Sequence, residues 1–283
     1  MGKSVYEMVT DRIINQLEQG IIPWEKPWSG IRSGAYNRII KKSYSLLNQM
    51  LLKHDGEYAT FKQWQDLGGH VRKGEKSEIV VFWKIQPITE TLEDGTKVEK
   101  NIPILRYFNV FHVSQIDGVK PLKKEDLKEL EPIEEAEKIL NDYITRENIT
   151  LEHSAGDKAY YSPGRDLIHL PLMGQFKEIS KYYSTAFHEA THSTMKESRC
   201  NRAEDRKGKL VAFGSEEYSK EELVAEIGSA NILNILGIET KKSFRNSTAY
   251  IQNWLQVLKN DVRFIVSASG KAEKAVKYIL NEA

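Results

Sequence analysis

The stretch that decides the fold spans residues 184–194 and has the sequence STAFHEATHST. It contains the pattern His-Glu-x-x-His, in which His188 and His192 are about one helical turn apart. On a helix, such residues share a face and lie about 6 Å apart, so both imidazoles can bind one metal ion. Glu189 projects about 100° around the helix from His188, where its carboxylate can accept a proton from water. The pattern predicts a hydrolytic site with one Zn²⁺ per chain and Glu189 as its catalytic base.

Two histidines leave the zinc ion short of one protein ligand. The metzincin extension requires glycine at position 195 and histidine at position 198, but the chain has Met195 and Ser198, which excludes that class. The expected source of the third ligand is a helix predicted over residues 220–236, which offers Glu222 and Glu226.

Different arguments support these two glutamates, and both stay open as the third ligand. In gluzincins the ligand glutamate is followed four residues later by an acid that hydrogen-bonds a liganding histidine, which favours Glu222 as the ligand. Glu226 instead lies closer to the apolar face of the helix, which comprises Leu223, Ile227 and Ala230. A close approach to the metal helix is predicted from the small residues Ala225, Gly228 and Ser229. A solvated helix face is the alternative for both glutamates.

The composition is typical of a globular chain without a membrane span. Of the 283 residues, 29% are charged and 40% are apolar, and no apolar run reaches the roughly 20 residues that a span requires. Residues 1–19 include several acids and lack the apolar core of a secretory signal, so we expect a cytoplasmic protein. The single cysteine, Cys200, excludes an intramolecular disulfide. The net charge of +1 favours neither the presence nor the absence of a nucleic-acid partner.

The first half of the chain has the pattern of a small α+β domain. Apolar residues at helical spacing predict helices over residues 4–19, 44–52 and 60–67. Two β-rich segments predict a long hairpin, with strands at residues 78–84 and 105–113 and a turn at residues 93–96.

Aromatic and basic residues are concentrated in this half. Four of the five tryptophans occur here, namely Trp24, Trp28, Trp64 and Trp83. Residues 26–84 contain eleven Lys or Arg against five Asp or Glu. This combination suits single-stranded nucleic acid, because bases stack on aromatic rings and phosphates bind cations. The competing interpretation places at least two of the four tryptophans in a hydrophobic core.

The order of several motifs resembles one protein family. The motifs of the first half are WEKPW (24–28), YN (36–37), YSLLN (44–48), TFKQW (60–64) and GGHVRKGEK (68–76). They are followed by FNVF (108–111), YYSP (160–163) with Asp166, the His-Glu-x-x-His stretch and EELVAE (221–226). Together, across residues 4–240, these motifs resemble ArdC-type antirestriction proteins.

The resemblance implies an α+β protein of two domains, in which a single-stranded-DNA-binding domain precedes a zincin-like metallopeptidase domain of gluzincin type. We place these domains at residues 1–118 and 133–283, with a linker at residues 119–132. Such proteins are typically encoded by plasmids or other mobile elements and are thought to shield incoming DNA from restriction. The implied partner is single-stranded DNA, with double-stranded DNA and an unidentified protein substrate left open and no membrane involved.

The resemblance also implies a DNA surface, whose residues are Trp24, Trp28, Asn37, Tyr44, Asn48, Lys62, Gln63, Arg72, Lys73 and Lys76. Residues 38–42 are more basic and β-branched than the family's usual turn, which puts the shape of that loop in doubt.

The second half alternates helices and short strands. We expect a helix over residues 133–147 and strands at 150–153, 158–161 and 166–170. The metal helix is expected to start at Ser184 or Thr185. The remaining expectations are an exposed loop at residues 199–213 and helices at 247–259 and 272–280, with residues 261–267 continuing the first of these two.

The strand before the metal helix is expected to be a sheet edge that can pair with an extended peptide. Tyr160, Tyr161 and Asp166 would then lie beside the substrate cleft. A purely structural hairpin is the equal alternative for these residues.

Three functional hypotheses follow from these residues. In the first, a DNA-binding antirestriction protein also hydrolyses peptide bonds at the zinc site. In the second, the protein protects DNA by occluding it, and its metal site is structural or inactive. In the third, the first domain mainly holds a peptidase on a transferred DNA strand.

Overall fold

The computed structural model of the chain describes residues 2–25, 34–91, 97–122, 132–202, 216–238 and 248–282. Trp28, the predicted turn at residues 93–96 and residues 203–213 of the predicted loop lie outside the described residues, as does most of the predicted linker.

The first half forms an α+β unit, as predicted. Its helices are α1 (Val5–Glu18), α2 (Leu46–Leu51) and α3 (Phe61–Asp66). Capping boxes begin α1 at Ser4 and α3 at Thr60, because each side chain accepts the N3 backbone N–H and the N3 side chain bonds back to the cap. The strands are β1 (Ala35–Asn37), β2 (Gly56–Ala59), β3 (His70–Val71), β4 (Glu78–Thr91), β5 (Lys97–His112) and β6 (Ile116–Asp117).

The main sheet of this half has the strand order β1-β2-β5-β4. β1 and β2 are parallel, whereas β2 with β5 and β4 with β5 are antiparallel. β4 and β5 form the predicted long hairpin, in which Val81 pairs with Tyr107 and Trp83 with Leu105. β4 is therefore an edge strand of the sheet.

The second half contains α4 (Pro132–Glu147), α5 (Ile179–Ser193), α6 (Glu216–Leu236), α7 (Thr248–Asn260) and α8 (Phe264–Ile279). Its strands are β7 (Thr150–Ser154), β8 (Tyr160–Ser162) and β9 (Leu167–Pro171), in the order β7-β9-β8. The prediction that the strand before the metal helix is a sheet edge is wrong, because β9 lies between the other two strands. The edges of this small sheet are β7 and β8.

Two helix starts differ from the predictions. The metal helix begins at Ile179 rather than at Ser184 or Thr185, because Tyr182 and Tyr183 are buried and their packing outweighs the capping preference of Ser and Thr. Residues 264–267 belong to α8 and do not continue α7. Asp261 breaks the helix, since its carboxylate accepts the N–H of Arg263 and its carbonyl accepts the N–H of Phe264.

One hydrophobic core joins the two halves. Val9 and Ile13 of α1 belong to the same buried cluster as Leu223 of α6, Trp254 of α7 and Ile265 of α8. A second cluster lies within the second half, where α4, α5, α6 and the three-stranded sheet meet. The domain boundaries at residues 118 and 133 stay a prediction, because the first core includes residues from both sides of them.

The architecture is a mixed α+β fold, as predicted. None of the helices in the described part of the chain is long and apolar enough to cross a membrane.

Candidate metal centre

Two adjacent helices bring three potential ligand atoms together. On α5, the Nε2 atoms of His188 and His192 lie 3.0 Å apart. On α6, the Glu222 carboxylate faces both, with Oε1 3.2 Å from His192 Nε2 and Oε2 3.5 Å from His188 Nε2. The three ligand atoms lie within 4.8 Å of one another.

These three residues fit a divalent metal ion. Both histidines are nearly fully buried, at 3% exposure for His188 and 7% for His192, so three polar atoms converge where little water can reach them. Two imidazole nitrogens and one carboxylate oxygen form a donor set that divalent metals bind. A buried group of this kind is stabilised by a cation, which balances the negative charge of the carboxylate and accepts the lone pairs of the two Nε2 atoms.

Glu226 occupies a different place from Glu222. Its Oε1 lies 3.5 Å from Nδ1 of His188, which is the nitrogen that points away from the Glu222 carboxylate. Of the two glutamates left open by the sequence, Glu222 therefore has the geometry of a ligand and Glu226 that of a residue orienting His188. The position of Glu226 near the apolar face of α6 favoured it in the sequence analysis. That position indicates how deeply a side chain is buried, whereas a metal ligand must point towards α5.

A second orienting acid, Glu221, was not predicted. Its Oε1 lies 3.8 Å from Nδ1 of His192, and Arg202 holds the same oxygen at 2.7 Å. Arg202 also donates to the carbonyl of Thr191 on the metal helix at 3.0 Å. The sequence signal was present, since Glu221 directly precedes Glu222 in EELVAE, but its direction depends on the rotation of α6.

The charges at this site are coupled. Burial raises the pKa of Glu222, but hydrogen bonds with His188 and His192 lower it, and the net result is a pKa far below the usual range. Burial lowers the pKa of His192, while the neighbouring carboxylates of Glu221 and Glu222 raise it, so that its pKa reaches about 10. This electronegative pocket therefore attracts positive charge.

Glu189, the predicted catalytic base, is 3% exposed on α5. Its negative charge contributes to the raised pKa of His192. Glu189 directly follows His188 on the metal helix, and its role as the base stays a prediction.

The close approach of α5 and α6 depends on Gly228, as the small residues of α6 indicated. A Cβ atom at position 228 would lie 2.8 Å from Cγ2 and 2.9 Å from Oγ1 of Thr191. Nearby, Ser229 Oγ donates to the carbonyl of Ser184 at 2.7 Å. These contacts set the distance across which Glu222 reaches the histidines.

The predicted cleft residues are divided between two environments. Tyr160 is 38% exposed on the edge strand β8 and stacks on His169. Tyr161 instead donates to Asp166 at 2.8 Å, and Asp166 pairs with Arg199 at 2.7 Å. Since Arg199 Nη1 also donates to the carbonyl of Ser193 at 2.9 Å, Tyr161 and Asp166 support the C-terminal end of the metal helix.

Residues 199–202, the described start of the predicted exposed loop, are only partly exposed, since Asn201 is exposed and Arg202 is half-buried. Arg199 and Cys200 are buried, at 9% and 5% exposure. Arg199 contacts Glu147 of α4 as well as Asp166. The prediction was wrong for Arg199, because paired arginines can be buried despite their charge.

The predicted DNA surface is dispersed. Trp24 is 1% exposed and its ring contacts Trp254 at 5.2 Å, so it packs in the core and offers no face to a base. Asn48 is 5% exposed and its amide binds the main chain of Val81 on both sides. These two residues are corrections to the predicted surface, because both are buried by packing that the motif alone does not reveal.

The other predicted DNA residues lie at or near the surface. The side chain of Asn37 accepts the N–H groups of Ile39 and Ile40 and so fixes the turn that begins the loop at residues 38–42. Tyr44 is half-buried. The basic turn and α3 contribute Lys62, Gln63, Arg72, Lys73 and Lys76, of which Gln63 is half-buried and the others are exposed.

The fold and the converging donors define a zincin-like metallopeptidase domain. The family described in those words, MPTase-PolyVal, matches residues 134–271. The N-terminal domain of anti-restriction factor ArdC matches residues 3–111. The chain therefore belongs to the ArdC family of antirestriction factors.

Solved structures support the same assignment. Crystal structures of the antirestriction ArdC protein from plasmid R388, one metal-free and one Mn(II)-bound, match with TM-scores of 0.73 and 0.75. In both comparisons the sequences are 32% identical and the match covers 99% of this chain and 98% of the other.

Curated relatives include longer proteins. The chain is 35% and 34% identical to two proteins named DNA primase TraC from Escherichia coli, but it spans only 20% and 27% of their lengths. It is 31% identical to the uncharacterized protein y4eC of Sinorhizobium fredii (strain NBRC 101917 / NGR234), of which it covers 91%.

Proposed function

We propose that the chain is an antirestriction factor that binds single-stranded DNA and holds one Zn²⁺ ion with His188, His192 and Glu222. The observation that supports the metal site is the convergence of two buried Nε2 atoms and one carboxylate within 4.8 Å. Three protein ligands from histidine and glutamate are the usual set of a catalytic zinc site. The family membership supports the antirestriction role.

The residues around the donors have separate tasks in this proposal. A zinc ion supplies Lewis acidity, which lowers the pKa of water and polarises a carbonyl group. Glu189 accepts the proton of the attacking water as general base, and its buried position beside the histidines keeps its carboxylate close to the reaction. Glu226 and Glu221 face the Nδ1 atoms of His188 and His192 and so keep both Nε2 lone pairs directed at the site.

We propose single-stranded DNA as the principal partner, a cytoplasmic location and an unidentified protein as the substrate of the metal site. The alternative in which the metal site is structural is supported by its position, because His188 and His192 on α5 and Glu222 on α6 join the two helices. The two possibilities differ in their dependence on Glu189.

The test compares wild type, Glu189→Gln and His188→Ala for bound zinc and for protection of unmodified incoming DNA in a restricting host. We expect Glu189→Gln to bind zinc as the wild type does and to lose protection. Full protection by Glu189→Gln would identify the metal site as structural. A wild-type protein with no more zinc than His188→Ala contradicts the metal site, and a wild type without protection contradicts the antirestriction role.

A further inference from the structure

A groove lies where the β4–β5 hairpin meets the last helix. Its volume is about 660 Å³. It is lined by residues of the α2 region, β4 and α8, which include Tyr44, Asn48, Phe82, Trp83, Lys274 and Tyr278. The groove is thus formed by both halves of the chain, and four of these six residues are aromatic.

The aromatic wall is unusually open to solvent. Trp83 is 52% exposed and Phe82 is 36% exposed. Successive side chains of a strand point to opposite faces, so Phe82 stacks on Phe108 on one face of the hairpin and Trp83 lies on the other, with Leu105. On the face that borders the groove, Trp83 is therefore the exposed aromatic platform, and a flat aromatic face suits the stacking of bases.

The edge of β4 argues against an extended peptide as the occupant. Asn48 already closes this edge at Val81, with its amide nitrogen 2.8 Å from the carbonyl and its amide oxygen 2.7 Å from the N–H. Alternate residues of a strand direct their main-chain N–H and C=O groups to the same side. After Val81, the residues that present these groups at the open edge of β4 are therefore Trp83 and Ile85. Pro87 follows and has no N–H. A peptide strand would therefore find only two residues of β4 before the ladder is interrupted.

The opposite wall is basic. Lys274 and Lys277 of α8 line the groove and are exposed. Glu273 is occupied, because its carboxylate accepts the N–H of Leu46 at 3.0 Å and pairs with Lys277 at 2.9 Å. Lys274 makes no ion pair with any described residue. Its ammonium group is available for a phosphate.

We propose that single-stranded DNA binds in this groove, with bases stacked on Trp83 and phosphates paired with Lys274. The inference rests on the proposed single-strand binding and gives it a location. In this proposal the main DNA-binding surface is the junction between the β4–β5 hairpin and α8 rather than the basic turn. Both halves of the chain contact the DNA there.

The first test measures binding of a fluorescent thymidine oligonucleotide of about 12 nucleotides by anisotropy. Trp83→Ala is expected to weaken binding about 5- to 100-fold, because loss of one stacking platform has that effect. Trp83→Phe keeps an aromatic face and should retain most of the affinity. Phe61→Ala removes a comparably exposed aromatic ring of α3, at 49% exposure, and should bind as the wild type does.

The second test measures the salt dependence of the same binding. Lys274→Ala should reduce the slope of log K against log salt by about 0.7, as expected for one lost phosphate contact. Lys138→Ala removes an exposed lysine of α4 and should leave the slope unchanged.

The possible failures are distinct. A wild type that binds no oligonucleotide contradicts the proposed function itself. A wild type that binds, with Trp83→Ala and Lys274→Ala equal to it, overturns the groove alone. Photo-crosslinking of an iodouridine oligonucleotide to the wild type gives an independent answer: crosslinks on β4 or α8 support the groove, and crosslinks confined to residues 72–76 overturn it.

Discussion

The metal centre and the groove between the β4–β5 hairpin and α8 differ in almost every physical respect. The metal centre is buried, charged and formed by two neighbouring helices. The groove is open, aromatic and formed by elements from both halves of the chain, such as β4 and α8. Buried charged groups require specific hydrogen-bonding or ionic partners, whereas an open aromatic surface can stack with many different bases. We therefore expect single substitutions to have sharper effects at the metal centre.

The largest effect should distinguish the two glutamates of α6. Glu222→Gln should lower metal affinity by more than about 100-fold, because it removes a ligand, whereas Glu226→Gln should lower it by about 10- to 100-fold through the orientation of His188. Competition with a chromophoric chelator measures both affinities. A greater loss with Glu226→Gln would reverse the assignment made from the distances.

Two tryptophans allow the comparison to be made in terms of stability. Trp24→Ala should cost about 3–5 kcal/mol of unfolding free energy, because the ring is 1% exposed and packs on Trp254. Trp83→Ala should cost about 1 kcal/mol or less, since half of the side chain is exposed. Urea unfolding followed by circular dichroism gives both values. Equal losses would mean that Trp83 is a core residue and not a binding surface.

Gly228 tests the contact that sets the metal-site geometry. Gly228→Ala should cost up to about 3 kcal/mol, because the new Cβ meets Thr191 at 2.8 Å. Gly270→Ala on α8 is the matched control, as nothing lies within 4 Å of its Cβ position. That variant should be stabilised by about 0.5–1 kcal/mol. The measurement is the thermal midpoint with and without zinc, and an unchanged midpoint for Gly228→Ala would refute the close packing.

The smallest effect concerns Asp166 and depends on pH. Burial raises the pKa of Asp166, but hydrogen bonds with Arg199 and Lys196 lower it, to about 2 overall. Because the folded pKa is depressed, the stabilisation is present above the unfolded pKa of about 3.9 and is lost as pH falls towards 2. Asp166→Asn should cost about 1–2 kcal/mol at pH 7.

The control for Asp166→Asn is Asp142→Asn, which changes an exposed carboxylate of α4. Urea unfolding at pH 7 and pH 3 should show the difference between wild type and Asp166→Asn shrinking at the lower pH. A pH-independent difference would assign the effect to packing rather than to charge.

The sequence predicted the metal-site residues of α5 more completely than those of α6. His188, Glu189 and His192 share one helix, so their spacing alone predicted which side chains meet. The choice between Glu222 and Glu226 required the rotation of α6 about its axis, which a helical wheel does not contain. Glu221 was missed for the same reason.

Surface predictions failed where burial decided the outcome. Trp24 and Asn48 belong to motifs of the family, but a motif records which residues recur and not which are exposed. Trp83 was recognised as one of four tryptophans in a basic region, yet its position beside α8 depends on contacts between distant parts of the chain. Similarly, β9 was taken for an edge strand because strand order in a sheet is not encoded in any single strand.

The shared core has a consequence for how the protein folds during synthesis. The apolar side of α1 packs against α7 and α8, and Thr10 Oγ1 donates to the carbonyl of Val262 at 2.7 Å across a separation of 252 residues. At about 5–20 residues per second, a ribosome needs roughly 10–50 seconds to produce the partner of that bond. Throughout this interval Val9, Ile13 and Leu17 lack their final neighbours. The nascent chain therefore passes through a period in which α7 and α8 do not yet cover the apolar surface of its first helix.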